Sequence, residues 1–271
     1  MASPLLLVGC GKMGGAMLDG WLAGGMADAG VEVIEPMADA VSRYTGDARV
    51  NLRTSVDEVP ADFTPAIVIL AVKPQTMDDA LEPLGRFVAP GTAFLSIAAG
   101  KTVRYFESHL GGEAAIVRSM PNTPAAVGRG VTAYYSNANV DADQSDACAA
   151  LLAAVGEALP VQDEEWLDWV TAVSGSGPAY IFLLIEAMAS AGTKLGLPAD
   201  VAMKLARATV IGSGELARQS SEEASQLRKN VTSPGGTTAA ALEVLMADDG
   251  IQPVFDRALA AAARRSTELA G

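Results

Sequence analysis

Histidine is nearly missing from this chain: His109 stands alone among 271 residues. It falls late in a predicted helix over 102–110, where a helix-end or surface role suits it. No Ser-His-Asp set, kinase-type lysine motif or metal-ligand cluster is present, so triad hydrolysis, kinase chemistry and a metal centre are not expected. Cysteine is almost as scarce. Cys10 and Cys148 supply neither a disulfide framework nor a zinc-binding spacing. Positive charge is short: 19 Lys and Arg stand against 32 Asp and Glu, a net charge of −13. That argues against a general nucleic-acid surface, which needs clustered Lys and Arg. An anionic substrate has to be held by local donors and not by the overall field. Aromatic residues are only 5% of the chain. Small aliphatic residues take their place and suit close-packed helices and buried parallel strands. Also missing are a basic N-terminal region, any window of ~18 unbroken apolar residues, low-complexity tracts and internal repeats. No leader and no membrane span are expected, and a soluble cytoplasmic protein is the default.

What is present is alternation. Short apolar runs at 5–8, 31–34, 49–51, 66–72, 93–97 and 115–118 read as strands, with two more at 131–135 and 158–161. Helical patterns at 13–22, 38–44, 77–87, 102–110 and 142–155 lie between most of them. Continuously apolar strands joined by helices predict an α/β fold with a doubly wound, Rossmann-type sheet. After about Asp163 no convincing strand remains. Helices are predicted over 165–173, 179–195, 199–218, 237–246 and 254–270. The chain therefore divides into an N-terminal dinucleotide-binding domain, 1–162, and a C-terminal all-helical domain, 163–271. The helix containing Tyr180-Ile-Phe-Leu-Leu-Ile-Glu-Ala-Met188 is apolar around most of its circumference. Such a helix needs cover on more than one side, which predicts a second subunit against it.

The chemistry should lie beyond the carboxyl ends of the strands. The first strand runs straight into Gly9-Cys10-Gly11-Lys12-Met13-Gly14 and then a helix. Strand, Gly-x-Gly-x-x-Gly, helix is the context of dinucleotide binding: a tight turn, close backbone approach to the pyrophosphate, and a helix closing on the strand. Glu35 follows at about the twenty-residue spacing of the acid that holds the ribose hydroxyls of NAD. A carboxylate there repels the extra phosphate of NADP, and no arginine follows it directly, since Arg43 is a helix away. The cofactor is NADPH or NADH, with a lean to NADH. Lys73-Pro74-Gln75 follows the fourth strand, Ala98-Ala99-Gly100-Lys101 the fifth, and Met120-Pro121-Asn122-Thr123-Pro124 the sixth.

A second glycine cluster, Ser233-Pro234-Gly235-Gly236-Thr237-Thr238, opens a late apolar helix. Ser233 is a capping type and Pro234 fits a first helical position. The unpaired first-turn N–H groups make a seat for a carboxylate or phosphate, with two hydroxyls beside it. Donors, hydroxyls and a nicotinamide suit hydride transfer.

Taken together these elements resemble pyrroline-5-carboxylate reductase. The likeness rests on Val8-Gly-Cys-Gly-Lys-Met-Gly14, Ala71-Val-Lys-Pro74, Ser96-Ile-Ala-Ala-Gly100, Met120-Pro-Asn-Thr-Pro124, Ser174-Gly-Ser-Gly-Pro-Ala-Tyr180 and Val231-Thr-Ser-Pro-Gly-Gly-Thr-Thr238, over nearly the whole chain. The resemblance implies reduction of 1-pyrroline-5-carboxylate to L-proline by NAD(P)H, in a homodimer or higher homo-oligomer built through the C-terminal helices. By motif position, Val8, Gly9, Cys10, Gly11, Lys12, Met13, Gly14, Ala71, Val72, Lys73, Pro74, Ile97, Ala98 and Ala99 would hold the cofactor, with Glu35 and Asn122. Asn230, Ser233, Gly236, Thr237 and Thr238 would hold the substrate. The Thr238 hydroxyl is the candidate catalytic partner of the imine nitrogen, as donor or relay. Glu35-Pro36 departs from the small polar residues many members carry there. The chain also lacks the proline that many members place before Gln-Leu-Lys. Two other readings stay open: a related imine or β-hydroxyacid reductase, whose acid would be Lys194, and a non-catalytic dinucleotide-binding sensor.

Overall fold

A computed structural model describes residues 4–270. The first three residues, on which the expectation about a leader partly fell, lie outside the described residues. The chain runs β1 (Leu5–Val8), α1 (Lys12–Ala23), β2 (Val31–Ile34), α2 (Ala38–Val41), β3 (Val50–Arg53), β4 (Ile67–Leu70) and α3 (Met77–Leu81). It continues through β5 (Ala93–Ser96), α4 (Val103–Leu110), β6 (Ala115–Met120), β7 (Gly130–Ser136), α5 (Ala142–Ala153), β8 (Gly156–Pro160) and α6 (Trp166–Val170). Five helices follow: α7 (Gly177–Lys194), α8 (Ala199–Gln219), α9 (Ala224–Asn230), α10 (Thr237–Leu245) and α11 (Ile251–Ala270).

All eight strands form one sheet in the order β3-β2-β1-β4-β5-β6-β7-β8. Every pairing is parallel except β6 with β7. The expected doubly wound sheet is therefore present. Successive side chains on a strand point to opposite faces, and both faces are buried. Leu5, Leu7, Val31, Val33, Ile67 and Ile69 face Trp21 and Leu151. Leu6, Val8, Val68, Leu70, Phe94 and Ile116 face Met77, Leu81 and Phe106. Covering each face with helices is why the strand sequences are continuously apolar and not alternating.

The chain forms two compact units: unit 1 runs to Gly175 and includes 262–270, and unit 2 is Ser176–Ala261. The parting falls later than the expected 162/163. Leu167 of α6 is fully buried and packs on Met120 and Ala133 of the sheet, so α6 belongs with unit 1. The end of α11 does too, because Ser266 and Thr267 donate hydrogen bonds to Asp168 of α6.

In unit 2, α7 and α8 pack together, with Gly192 close to Ala202. Two helix features differ from expectation. α9 was not expected: Ala-Ser-Gln-Leu-Arg-Lys-Asn has no apolar stripe to announce it. α11 starts at Ile251, ahead of the expected 254, because Pro253 sits in the first turn, where a missing N–H costs nothing. Among the described residues one run, Trp166–Lys194, is long and apolar enough by length and composition to cross a membrane, with 11% of its most apolar window buried within the chain. It is not one regular helix; a π-helical turn at Thr171–Gly175 divides it.

Candidate functional site

The glycine loop is built into unit 1 by contact. Gly9 has φ +91, and a β-carbon there would lie 2.8 Å from the Ala71 carbonyl. A β-carbon on Gly14 would lie 2.3 Å from the Gly9 oxygen. Both glycines are thus required by the packing of β1, α1 and β4. Gly11 is different. It is the N-cap of α1 at φ −69, a value any residue adopts, and a β-carbon there would meet nothing within 4 Å. Glycine is a favoured N-cap type, and with no side chain it leaves the N-terminus of α1 open to close approach by a ligand.

Beside this loop lies a cavity of ≈ 590 Å³. Val8, Gly9, Gly11, Glu35, Ala71, Val72 and Lys73 line it, all expected at the cofactor. Pro36, Met37, Thr54, Ser55, Thr76, Asp79 and Ala80 also line it and were missed. Thr54-Ser55 directly follows β3, so the rule of reading what comes after each strand would have found that pair. Asp79 and Ala80 sit on α3, where no spacing signals them. Cys10, Lys12, Met13, Gly14, Pro74, Ile97, Ala98, Ala99 and Asn122 are not among the lining residues. Gly14 and Met13 form the first turn of α1, and Ile97, Ala98 and Ala99 follow β5 further along the sheet.

Glu35 is fixed from both sides. Its Oε2 accepts the Cys10 N–H at 2.8 Å and its Oε1 accepts the Met37 N–H at 3.0 Å. The carboxylate is thus held in the lining of the cavity. Arg43 does not line the cavity. It pairs with Asp19 at 2.9 Å and donates to the Tyr44 hydroxyl at 2.6 Å. Cys10 is no nucleophile: burial pushes its thiol up to about 11. The Asn122 amide is engaged with protein. Its Oδ1 accepts from the Val131 N–H at 3.0 Å and its Nδ2 donates to Ser174 Oγ at 3.2 Å. Those bonds brace the β6–β7 connection, and the side chain is nearly buried.

In unit 2 the second glycine cluster has a geometry of its own. Gly235 takes φ +69 and the Gly236 N–H bonds the Ser233 carbonyl at 3.0 Å. That is a type II turn with Pro234 and Gly235 at its centre, where proline presets one position and glycine alone takes the other without strain. Ser233 and Pro234 are therefore not the cap and first turn of the helix, as expected. They make a turn ahead of it because Gly235 must turn left-handed. α10 begins at Thr237 behind the N-cap Gly236, with no side chain bonded to its first-turn amides. Thr237 and Thr238 are its first two residues.

Asn230 closes α9. It donates to Glu222 Oε2 at 2.9 Å and accepts from Gln226 at 2.8 Å. It lines, with Ser213, Leu216, Arg228 and Val231, a second cavity of ≈ 450 Å³. The four-residue step from Gln226 to Asn230 was legible once α9 was known; the Glu222 contact was not.

Comparison with known proteins bears on both units. A family described as pyrroline-5-carboxylate reductase dimerisation matches residues 164–269, and one described as NADP oxidoreductase, coenzyme F420-dependent, matches residues 5–100. A pyrroline-5-carboxylate reductase of Pseudomonas aeruginosa is 40% identical over 271 residues, covering 100% of this chain and 98% of the relative. A solved pyrroline-5-carboxylate reductase of Coxiella burnetii superposes with a TM-score of 0.92 at 34% identity, covering 100% of both chains. A pyrroline carboxylate reductase of Plasmodium falciparum, solved with NADP bound, gives 0.80 at 29% identity, covering 99% of this chain and 98% of that one. The apolar run Trp166–Lys194 lies within the dimerisation match.

Proposed function

The chain belongs to the pyrroline-5-carboxylate reductase family, and on that premise we propose that it reduces the C=N bond of 1-pyrroline-5-carboxylate to give L-proline, taking the hydride from a nicotinamide dinucleotide. The observation that carries the dinucleotide is the cavity beside the glycine loop, where Gly11 leaves the N-terminus of α1 open. The first-turn amides of α1 would hold the pyrophosphate, with Ala71, Val72 and Lys73 of the same cavity beside it. The loop 97–99 would hold the nicotinamide end. When bound, the cofactor supplies the hydride; the chain supplies position.

The substrate carboxylate is held by the first-turn N–H groups of α10, with Ser233, Gly236 and Thr237 around it and the Asn230 amide, fixed by Glu222 and Gln226, beside it. The Thr238 hydroxyl pairs with the ring nitrogen, as donor or as relay for a proton from water. Removing such a positioned group costs about 100-fold in rate. Thr238→Ala with unchanged turnover and KM would take Thr238 out of the mechanism.

Glu35 makes NADH the preferred cofactor. The Plasmodium falciparum relative was solved with NADP. Here a carboxylate bonded to two backbone amides lines the cavity, and Arg43, which does not line it, pairs with Asp19 and Tyr44. The setting this reading implies is the cytoplasm, where the enzyme works as a homodimer or larger homo-oligomer. The direct test is to add pyrroline-5-carboxylate to purified protein with NADH and with NADPH and follow loss of reduced-nicotinamide absorbance. No oxidation with either rules out the reductase. Faster turnover of NADPH removes the role given to Glu35, and Glu35→Ser should move preference towards NADPH by about tenfold or more.

A further inference from the structure

Arg118 is a charged residue in the middle of a buried sheet. It lies on β6, its side chain is 4% exposed, and its register partners are Ser96 of β5 and Tyr135 of β7. A buried guanidinium is tolerated only with charged partners. It has two, both on or beside α6. Nη1 donates to Glu164 Oε1 at 2.9 Å, and Nη2, which makes no hydrogen bond, lies 4.0 Å from Asp168 Oδ1.

Each acid reaches onward. Glu164 Oε1 also accepts the Val103 N–H at 2.7 Å, which is the start of α4 and the downstream end of the loop that follows β5. Asp168 Oδ1 accepts from Ser266 Oγ at 2.6 Å, on the last turns of α11. Ser266 is itself buried. One turn further on, the Leu269 carbonyl presses on the same loop: a β-carbon on Gly100 would lie 2.9 Å from that oxygen, and Gly100 has φ +73. Just ahead of Gly100, Ala99 packs on the cluster of Met120, Ala133 and Leu167. The loop is thus held at Ala99, at Gly100 and at Val103 by one connected set of groups.

We propose that Arg118, Glu164, Asp168 and Ser266 form a clasp that fastens the end of α11 against the loop 97–101 and so sets the position of the nicotinamide end of the cofactor. Arg118, Glu164, Asp168 and Ser266 are positioning residues for hydride transfer, not catalytic ones. Their one route to the reaction is the loop, so the inference rests on the reading above that 97–99 holds the cofactor.

The test uses the full chain and compares four substitutions by NADH Kd, KM for pyrroline-5-carboxylate, kcat and thermal midpoint. Ser266→Ala is expected to raise the NADH Kd about tenfold, the effect of losing a hydrogen bond to a charged group, and to lower kcat, with KM for pyrroline-5-carboxylate little changed. Ser266→Thr, which keeps the hydroxyl, restores the NADH Kd. Gly100→Ala weakens NADH binding as well, and deleting 269–271 from that variant recovers part of the loss because the opposing carbonyl is gone. The clasp is refuted if Ser266→Ala and Gly100→Ala lower the thermal midpoint yet leave NADH Kd and kcat at their native values. Ala99→Asp separates the two levels. If it leaves NADH binding intact, the loop does not hold the cofactor and the underlying reading falls. If it weakens NADH while Ser266→Ala does not, only the clasp falls.

Discussion

Unit 1 buries Trp21, Phe94 and Phe106 completely, whereas the apolar side chains buried within unit 2 are three alanines, Ala189, Ala202 and Ala206. The two units do not differ in how apolar their sequences are; they differ in where the large side chains go. A sheet with helices on both faces encloses its own core. In unit 2 the contact of α7 with α8 takes the small residues, and Phe182, Leu183, Ile211 and Leu216 are left 59–66% exposed. Apolar side chains of that size contribute about 1.5–3 kcal/mol each when buried. A protein leaves so many uncovered only where another surface completes them. The dimerisation match over 164–269 supplies that surface: another copy of the chain. Unit 1 encloses its large apolar side chains, and unit 2 leaves its own exposed within the chain.

The largest effect expected from this contrast comes from charging the face of α7. Leu183→Glu with Phe182→Glu places carboxylates where apolar cover is needed, at a cost of several kcal/mol. That is a weakening of association by more than about 100-fold. Sedimentation should show separated subunits, with activity lost at assay concentrations. Assembled, active double variant would mean that the α7 face is not the interface.

Trp21→Ala probes the other unit. Its indole is fully buried and donates to the Leu151 carbonyl at 2.8 Å. About 3–5 kcal/mol should go, read as a lower urea midpoint. The loss should be the same at every protein concentration, while variants at Ile211 or Leu216 should show a concentration-dependent midpoint. Equal behaviour of the two sets would erase the distinction.

Glu164→Leu comes next. It strands Arg118 with Asp168 at 4.0 Å as its remaining acid and should cost about 3 kcal/mol. A smaller loss on replacing both Arg118 and Glu164 by apolar residues would show that the penalty is the unpaired charge.

The smallest effect is a pH dependence confined to unit 1. Burial pushes the Cys148 thiol from 9.0 to about 12. A raised folded value means its contribution is complete below pH 9 and is lost as pH rises towards 12. Cys148→Ala should flatten the alkaline loss of stability between urea midpoints taken at about pH 8 and pH 10. An unchanged slope would assign that loss to other groups.

Much of unit 1 was legible because its signals are local. The run Ile67–Leu70 is wholly apolar, short and rich in β-branched residues, the pattern of a strand buried on both faces. The glycine loop sits between a strand and a helix, as its position in the sequence predicts, and it borders the cavity in unit 1. Thr54, Ser55, Asp79 and Ala80 come to the same cavity only because β3 and α3 fold beside it. In unit 2 the signals were weaker. α9 has no apolar stripe, and Ser233-Pro234 reads as a helix cap until the left-handed Gly235 makes it a turn. Arg118 read as the last residue of a strand; nothing local announced its two carboxylates, 46 residues away for Glu164.

The sequence by itself determined the alternation of strand and helix, the glycine loop, the acid at Glu35 and the apolar excess on α7, since each depends on residues close together in the chain. Only the tertiary structure decided which groups meet across it: Glu35 with the Cys10 amide, Arg118 with Glu164 and Asp168, Gly100 with Leu269. Pairings of that kind follow from how strands are ordered and helices laid upon them. Period and propensity carry no record of that order.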